Sequence, residues 1–394
     1  MLSAVALCAV GAEKTVSNEL RKLNFKVTEG RYGHVRFISD AEGLYRALVG
    51  LRAVDRILLE IALFEALDFD DLFEGTKQLE WENFIPPRLG LRVTKVRTNR
   101  SVLKAQSSIQ AVVHKAAAER LCKKRGINRL PTVEGNEAEL RVYIEKNQVS
   151  LLLDLSGEPL YKRGYRTMGG IAPLRETTAA AIILLSGWRR KFPLYDPFCG
   201  SGTIAIEAAM YAWDIAPGIG RRFALDRLSL GSRETEKKVR QDFLGKVDFS
   251  RLVRIRGSDS DSASIAAARE NLSRALDLTE GKGSSLQLNL PPGGQTVIDA
   301  SFFRVLPMEE AEFKTEPGFI ITNPPYGRRL GDAESAAKIY SGIGKLGRNF
   351  PGWKLFLISD TSGFESFFGR KADFCREITN GAINSYLYHY EKLL

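Results

Sequence analysis

YDPFCGSGTIAIEAAM, residues 195–210, is the most informative stretch of this chain. An apolar run over 192–196 reads as a strand that stops at the acid Asp196. Gly200 and Gly202 make a turn, and the apolar spacing from 203 to 213 predicts a helix. Strand, glycine turn and helix in that order bring backbone close to a ligand at a helix N-terminus. Downstream, strands are predicted at 252–258, 295–298, 318–322 and 353–359, with helices at 262–276 and 333–347 between them. That alternation marks a doubly wound, mostly parallel sheet. Near the end, 374–379 and 383–390 flank Asn380-Gly381, a strong hairpin signal. Residues 161–394 should therefore form a Rossmann-like α/β domain whose parallel sheet finishes in an antiparallel hairpin.

Upstream of that domain the pattern changes twice. Residues 1–66 read as strand, helix, two short strands, a helix capped by Asp40, and a last strand over 57–64. This β-α-β-β-α-β order is ferredoxin-like and by itself carries no function. Residues 67–160 are more basic. A strand over 91–97 leads to Lys95, Arg97 and Arg100, and a helix follows on Ile109, Val112, Ala116 and Ala117. It runs out at Lys123-Lys124-Arg125-Gly126. Leu140, Val142 and Ile144, then Val149, Leu151 and Leu153, alternate on either side of Lys146-Asn147-Gln148, which predicts a hairpin. The basic residues read either as a solvated face or as a contact surface.

The 394 residues are 44% hydrophobic and 26% charged, which excludes wholesale disorder and leaves room for several cores. Lys and Arg number 57 against 47 Asp and Glu, a formal +10 that suits a nucleic-acid partner. Cys8, Cys122, Cys199 and Cys375 are far apart and only three His occur, so neither a metal site nor a disulfide framework is expected. The opening MLSAVALCAV reads as a first strand and not as a signal peptide. No apolar run approaches the ~20 residues of a membrane span, and a cytoplasmic protein is expected.

Three cofactor classes use a strand–glycine–helix turn. A nucleotide P-loop needs a Lys that is missing here. A dinucleotide site needs G-x-G-x-x-G/A, which Gly200, Gly202 and Ala205 match, but an acid about 20 residues further on is wanting. S-adenosylmethionine accounts for more residues. Asp196 stands where an acid would serve the methionine ammonium, and the turn residues Pro197, Cys199, Gly200, Gly202 and Thr203 would line the ligand. Asp259, ending the next strand, is placed to accept from both ribose hydroxyls, while Asp261 caps the following helix. Asp299, after the expected third strand, is either an acceptor for the adenine amine or a loop acid.

TNPPYG, residues 322–327, ends the fourth strand beside that turn. An exocyclic amine is a poor nucleophile because its lone pair is delocalised into the base. The Asn323 side-chain oxygen and the Pro324 carbonyl could each take one N–H and leave the lone pair aimed at a methyl donor. Tyr326 could stack on a base drawn out of its helix. Asn323, Pro324 and Tyr326 are the candidate catalytic residues.

At this point the sequence resembles a known family, the THUMP-domain class I methyltransferases that make N2-methylguanosine in RNA. It is most similar to the stand-alone RlmL amino-terminal-half type, which acts on 23S rRNA. The likeness rests on LDLSGEPLYKRGYR (153–166), APLRETTAAAIILLSGW (172–188), the 195–210 turn, APGIGRRF (216–223), GSDSD and TNPPYG, and spans essentially the whole chain. It implies a ferredoxin-like domain at 1–66, an RNA-gripping THUMP domain at 67–160 and a methyltransferase domain at 161–394. It also implies that the 172–177 segment covers the cofactor, with Arg175 and Glu176 in contact. Members commonly read GSDID and NPPYGER, where this chain has Ser260 and Arg328; Arg328 could meet a phosphate. The second methyltransferase fused to some RlmL proteins is missing, so one modification is expected.

The resulting expectation is a monomeric, S-adenosylmethionine-dependent guanine-N2 methyltransferase of 23S rRNA or its precursor particle. Its RNA surface would comprise Lys95, Arg97, Arg100, Lys123, Lys124, Arg125, Lys162, Arg163 and Arg166, with Arg328. The same chemistry on tRNA, a DNA adenine-N6 methyltransferase and a non-catalytic RNA-binding assembly factor are the competing readings.

Overall fold

A computed structural model describes residues 1–132, 135–166, 174–279, 302–311, 316–325 and 333–394, without the side chains of 333–338. The first six elements follow the expected order: β1 (Leu2–Cys8), α1 (Glu13–Lys22), β2 (Lys26–Arg31), β3 (His34–Ser39), α2 (Ala41–Gly50) and β4 (Val54–Glu65). Asp40 caps α2, its Oδ1 accepting from Gly43 N at 2.7 Å. Next come α3 (Phe69–Lys77), β5 (Gly90–Asn99), α4 (Gln106–Arg125), β6 (Glu137–Glu145) and β7 (Gln148–Asp154). Gly126, at φ 66°, ends α4. Lys146 and Asn147, at φ 50° and 64°, form the two-residue turn whose twist suits the β6–β7 hairpin.

β4 is twelve residues long and pairs with both β1 and β7. It thereby joins the seven strands β1 to β7 into one sheet of order β2-β3-β1-β4-β7-β6-β5. Ala4, Leu59, Leu153 and Leu140 lie across from one another and face the helices in the main core. The alternate residues Arg36, Val5, Leu58 and Asp154 face the other way, as do Leu152, Arg141 and Lys95. That opposite face carries only a small cluster of Val5, Leu58 and Leu152, with Leu7 and Tyr143 against it.

The second sheet holds β8 (Leu194–Asp196), β9 (Ile255–Asp259), β10 (Phe303–Val305), β11 (Phe319–Thr322), β12 (Lys354–Ser359), β13 (Phe374–Asn380) and β14 (Ile383–Tyr390). Its order is β10-β9-β8-β11-β12-β14-β13, parallel from β10 to β12 and antiparallel at β14. The hairpin turns on Gly381 and Ala382, one residue later than Asn380-Gly381 suggests, with Gly381 at φ 67°. Helices α5 (Glu176–Leu185), α6 (Thr203–Ala212), α8 (Ser262–Asp277) and α9 (Ala333–Gly344) accompany these strands, followed by the short α10 (Phe364–Phe368). The expected strand at 295–298 lies outside the described residues; the strand beside β9 is Phe303–Val305.

A helix the sequence reading passed over, α7 (Arg233–Leu244), packs on α2. Its Phe243 ring sits so close to Gly50 that a Cβ there would meet it at 2.6 Å. On the other side, Thr379 N donates to Val10 O at 3.2 Å and Val10 N to Thr379 Oγ1 at 2.9 Å. The two sheets are therefore braced against each other at both ends of the N-terminal unit. Among the described residues no helix is long and apolar enough to cross a membrane.

Candidate active site

The order in which strands are added reverses about β8, since β9 and β10 build out on one side of it and β11 and β12 on the other. In an open α/β sheet such a switch point opens a crevice beyond the strand carboxyl ends. Asp196 ends β8 there, 1% exposed. Its Oδ1 accepts from Thr322 Oγ1 at 2.7 Å, across the crevice on β11, and from Phe198 N at 3.2 Å. Burial pushes the Asp196 carboxyl up to about 7; the two hydrogen bonds oppose the shift and the Asp259 charge adds to it. Among the described residues no cationic side chain contributes. A buried carboxylate short of a cation is what an incoming ammonium group would complete.

The glycine turn is built around that acid. Cys199 N donates to Ser258 O at 2.9 Å, and Gly200 N to Asp259 Oδ2 at 2.9 Å, which ties the turn to the end of β9. Asn271 Nδ2, from α8, holds Ser201 O at 3.1 Å. Gly200, at φ 51°, has open space where a Cβ would lie; Gly202, at φ 86°, has Phe303 at 2.7 Å and Ala268 at 3.0 Å. One glycine thus leaves room for a ligand and the other allows close helix–strand packing. Asp259 Oδ1 accepts from Asp261 N at 3.0 Å, so the carboxylate is fixed in orientation and only half-buried. Asp261 caps α8, as expected. The cradle fits S-adenosylmethionine: Asp196 for the ammonium, Asp259 for the ribose, and open backbone at Gly200.

Asn323 and Pro324 follow Thr322 directly, so the hydrogen bond from Thr322 to Asp196 sets them beside the turn. The Asn323 Oδ1 is buried and has no hydrogen-bond partner among the described residues. An unfilled acceptor at this depth is costly unless a donor arrives from elsewhere. Tyr326, Arg328 and Asp299 lie outside the described residues. Asp299 precedes Phe303–Val305 and does not follow it, because β10 is the strand that pairs with β9. At the level of Asp259 the third strand presents Val305, and Leu306 N donates to Asp259 O at 3.0 Å.

The other expected site residues divide. Glu176 opens α5, 3% exposed, with Arg166 Nε 3.5 Å from its Oε1. Arg166 also donates to Leu174 O at 3.1 Å and to Thr203 Oγ1. Glu176 therefore reaches the cofactor turn through Arg166, which serves the turn and is not spread on an RNA surface. Arg175 is committed elsewhere: its Nη1 is 3.0 Å from Asp55 Oδ2, its guanidinium lies 4.5 Å from the Tyr161 ring centroid, and its N donates to Asn380 Oδ1.

Among the basic candidates, Arg163 is 1% exposed and bonds to Leu160 O and Arg52 O, with Glu207 at 3.4 Å. Arg125 donates to Leu89 O, Ile85 O and Pro86 O. Both are committed within the fold: the buried Arg163 must find several acceptors, and the half-buried Arg125 spends its donors on three backbone carbonyls. Lys95, Arg97, Arg100, Lys123, Lys124 and Lys162 are exposed, Lys162 beside Glu158. The sequence reading missed Thr322 and Asn271. A polar end to the apolar strand Phe319–Thr322, and an Asn buried within α8, were the available signals.

Fold and site together define a class I methyltransferase that uses S-adenosylmethionine. The chain belongs to the RMKL-like methyltransferase family: the model described as RMKL-like, methyltransferase domain, matches residues 163–282 and 294–389. Models of the RlmL ferredoxin-like domain and the THUMP domain match 3–58 and 66–154. The chain is 34% identical to the "Putative RNA methyltransferase YpsC" of Bacillus subtilis, over 98% of its own length and 95% of that protein's. It is also 34% identical to the ribosomal RNA large subunit methyltransferase K/L of Cellvibrio japonicus, over 97% of its length, but spans only 50% of that relative. A crystal structure of "a putative methyltransferase complexed with SAH" superposes with a TM-score of 0.85 at 32% identity, covering 99% of this chain and 98% of that one.

Proposed function

We propose that the chain transfers a methyl group to the exocyclic N2 amine of a guanine in 23S rRNA, as a cytoplasmic enzyme. The observation that carries the reading is the buried Oδ1 of Asn323, which has no hydrogen-bond partner among the described residues and lies at the switch point, next to Asp196. Support for RNA comes from the THUMP match and from the names of the relatives. In this reading 161–394 does the chemistry, while 1–66 and 67–160 hold the substrate.

Bound S-adenosylmethionine supplies the methyl group from a sulfonium, and the amine nitrogen takes it as the S–C bond breaks. The protein contributes orientation. Asn323 Oδ1 and the Pro324 carbonyl each accept one N–H of the amine, which raises the electron density on nitrogen and fixes its lone pair. After transfer one of those N–H protons is lost, and the acceptors hold the developing charge until it leaves. The two prolines keep the carbonyl in place without a ladder hydrogen bond. Burial of the acceptors keeps water from competing for the donors.

The test is methyl transfer to rRNA and tRNA from a strain lacking the gene, with mass spectrometry of the nucleosides. N2-methylguanosine in 23S rRNA is expected. The same nucleoside in tRNA alone would move the substrate, and N6-methyladenine would move the base. Asn323→Ala should lower kcat by about 10²-fold or more, the usual cost of a lost transition-state hydrogen bond, with S-adenosylhomocysteine affinity unchanged.

A further inference from the structure

The open face of the N-terminal sheet is crowded with cations. Lys95 and Arg97 on β5 lie across from Arg141 and Tyr143 on β6, and Arg56 enters from β4. One carboxylate, Asp154, serves both Arg56, at 2.6 Å, and Arg141, at 3.3 Å, and the buried Arg141 Nε has no partner among the described residues. Lys95 remains solvent-exposed, yet partial desolvation within the cleft, followed by the charges of Arg97, Arg141 and Arg56, pushes its ammonium down from its ordinary value. Such a cluster repels itself, and an anionic ligand would relieve the repulsion.

A cleft of about 1040 Å³ covers this face. Its walls include Tyr161 and Arg175 and the hairpin tip at Gly381 and Ala382, so the methyltransferase domain helps to enclose it. Six of its side chains are Arg or Lys, against Asp55 and Glu139. The volume is at the upper end of small-molecule sites, ~300–1,000 Å³, and the charges are strung along strands instead of converging on a point. Tyr161 and Arg175 also line a second cleft of about 510 Å³ that contains Arg166 and Glu176, the residues tied to the cofactor turn. The two clefts thus share Tyr161 and Arg175 as a common wall, and the second is lined by Arg166, which bonds Thr203 at the start of the cofactor helix.

We propose that a single-stranded segment of the RNA substrate lies along this cleft, with its phosphates on Lys95, Arg97, Arg56 and Arg141 and its bases against Tyr143 and Tyr161. The inference rests on the reading of the chain as an RNA methyltransferase, and it moves the grip from the exposed end of α4 to the open sheet face. Basic grooves with interleaved aromatic faces hold single strands without reading their sequence, which suits positioning of a target base. Arg56 and Arg141 are already anchored by Asp154, so their free edges are fixed in place before RNA arrives.

The experiment measures binding of a fluorescein-labelled oligouridylate of about 16 nucleotides, the long end of single-strand site sizes, to the full chain across a salt series. Lys95→Gln with Arg97→Gln should weaken binding roughly tenfold and lower the slope of log affinity against log salt by about 1.4, ~0.7 for each lost phosphate contact. The charge-matched pair Arg21→Gln and Lys22→Gln, exposed on α1, should change neither. Tyr143→Ala should weaken binding and leave the salt slope unchanged.

Equal losses from both charge pairs would overturn the proposal, as would a loss seen only with Lys123→Gln and Lys124→Gln, or no binding by the unaltered chain. Methyl transfer to 23S rRNA keeps the two ideas apart. Transfer that is indifferent to Lys95→Gln and Arg97→Gln removes the groove and leaves the enzyme. No transfer to any RNA, with S-adenosylhomocysteine still bound, removes the enzyme reading itself.

Discussion

Asp196 is both the acid the sequence singled out and the residue whose state it could not give. Its position before the glycine turn was legible, but its burial depends on Thr322, which arrives from another strand. With its carboxyl raised to about 7, the ligand-free folded chain binds this proton more tightly than the unfolded one. Stability from this group therefore falls as pH rises from the usual carboxylate range to about 7, and the penalty is complete above that. Cofactor binding has the opposite dependence, because an ammonium group needs the ionised carboxylate. S-adenosylhomocysteine affinity should fall by up to about tenfold per pH unit below pH ~7 and level off above it. Calorimetric titration across pH 5 to 8, bracketing that value, checks this, and Asp196→Asn should bind weakly with the pH dependence gone. Arginine was the residue type read least well. Arg163 and Arg125 look like surface charge in the sequence because their partners are mainly backbone carbonyls, with Glu207 reaching Arg163 from 44 residues away, and no local side-chain pattern reveals either.

The turn between β8 and α6 was legible as an element because its glycines are dictated by geometry. Gly200 and Gly202 both sit at positive φ, so either Cβ brings strain of ~1–2 kcal/mol. Only at Gly202 does it also collide, with Phe303 and Ala268. Gly202→Ala should therefore lower the unfolding midpoint clearly more than Gly200→Ala, while Gly200→Ala should weaken S-adenosylhomocysteine binding with the smaller loss of stability. Thermal unfolding of both variants, paired with ligand titration, separates packing from ligand space. Other elements were hidden. Helix α7 buries Val239 and Phe243 among charged neighbours, too few apolar positions to announce a face before α2 is there to cover them. The third strand was placed too early because β10 has three residues, of which only Phe303 is buried.

At the scale of the molecule the sequence showed three segments but not how they are joined. β4 reads as the end of one unit and serves as the spine between two, since strand pairing depends on a partner more than eighty residues away, as with Leu59 and Leu153. The consequence for function runs through Asp55, at the start of that strand. Its carboxylate accepts from Arg175 at 3.0 Å and from Thr177, one on each side of Glu176. Glu176 in turn faces Arg166, and Arg166 bonds Thr203, the first residue of the cofactor helix. Asp55 also lines the cationic cleft, so one carboxylate touches the proposed RNA path and sets the start of α5. Its ion pair with Arg175 is partly exposed and should contribute no more than about 1 kcal/mol to stability. Asp55→Asn should accordingly leave the unfolding midpoint within a few degrees of the unaltered chain. It should nonetheless weaken S-adenosylhomocysteine binding several-fold, because Arg175 and Thr177, which flank Glu176, lose the contact that holds the start of α5. A measured affinity equal to that of the unaltered chain would show that α5 is held by its own packing, and that the N-terminal sheet and the cofactor site are braced together without being coupled.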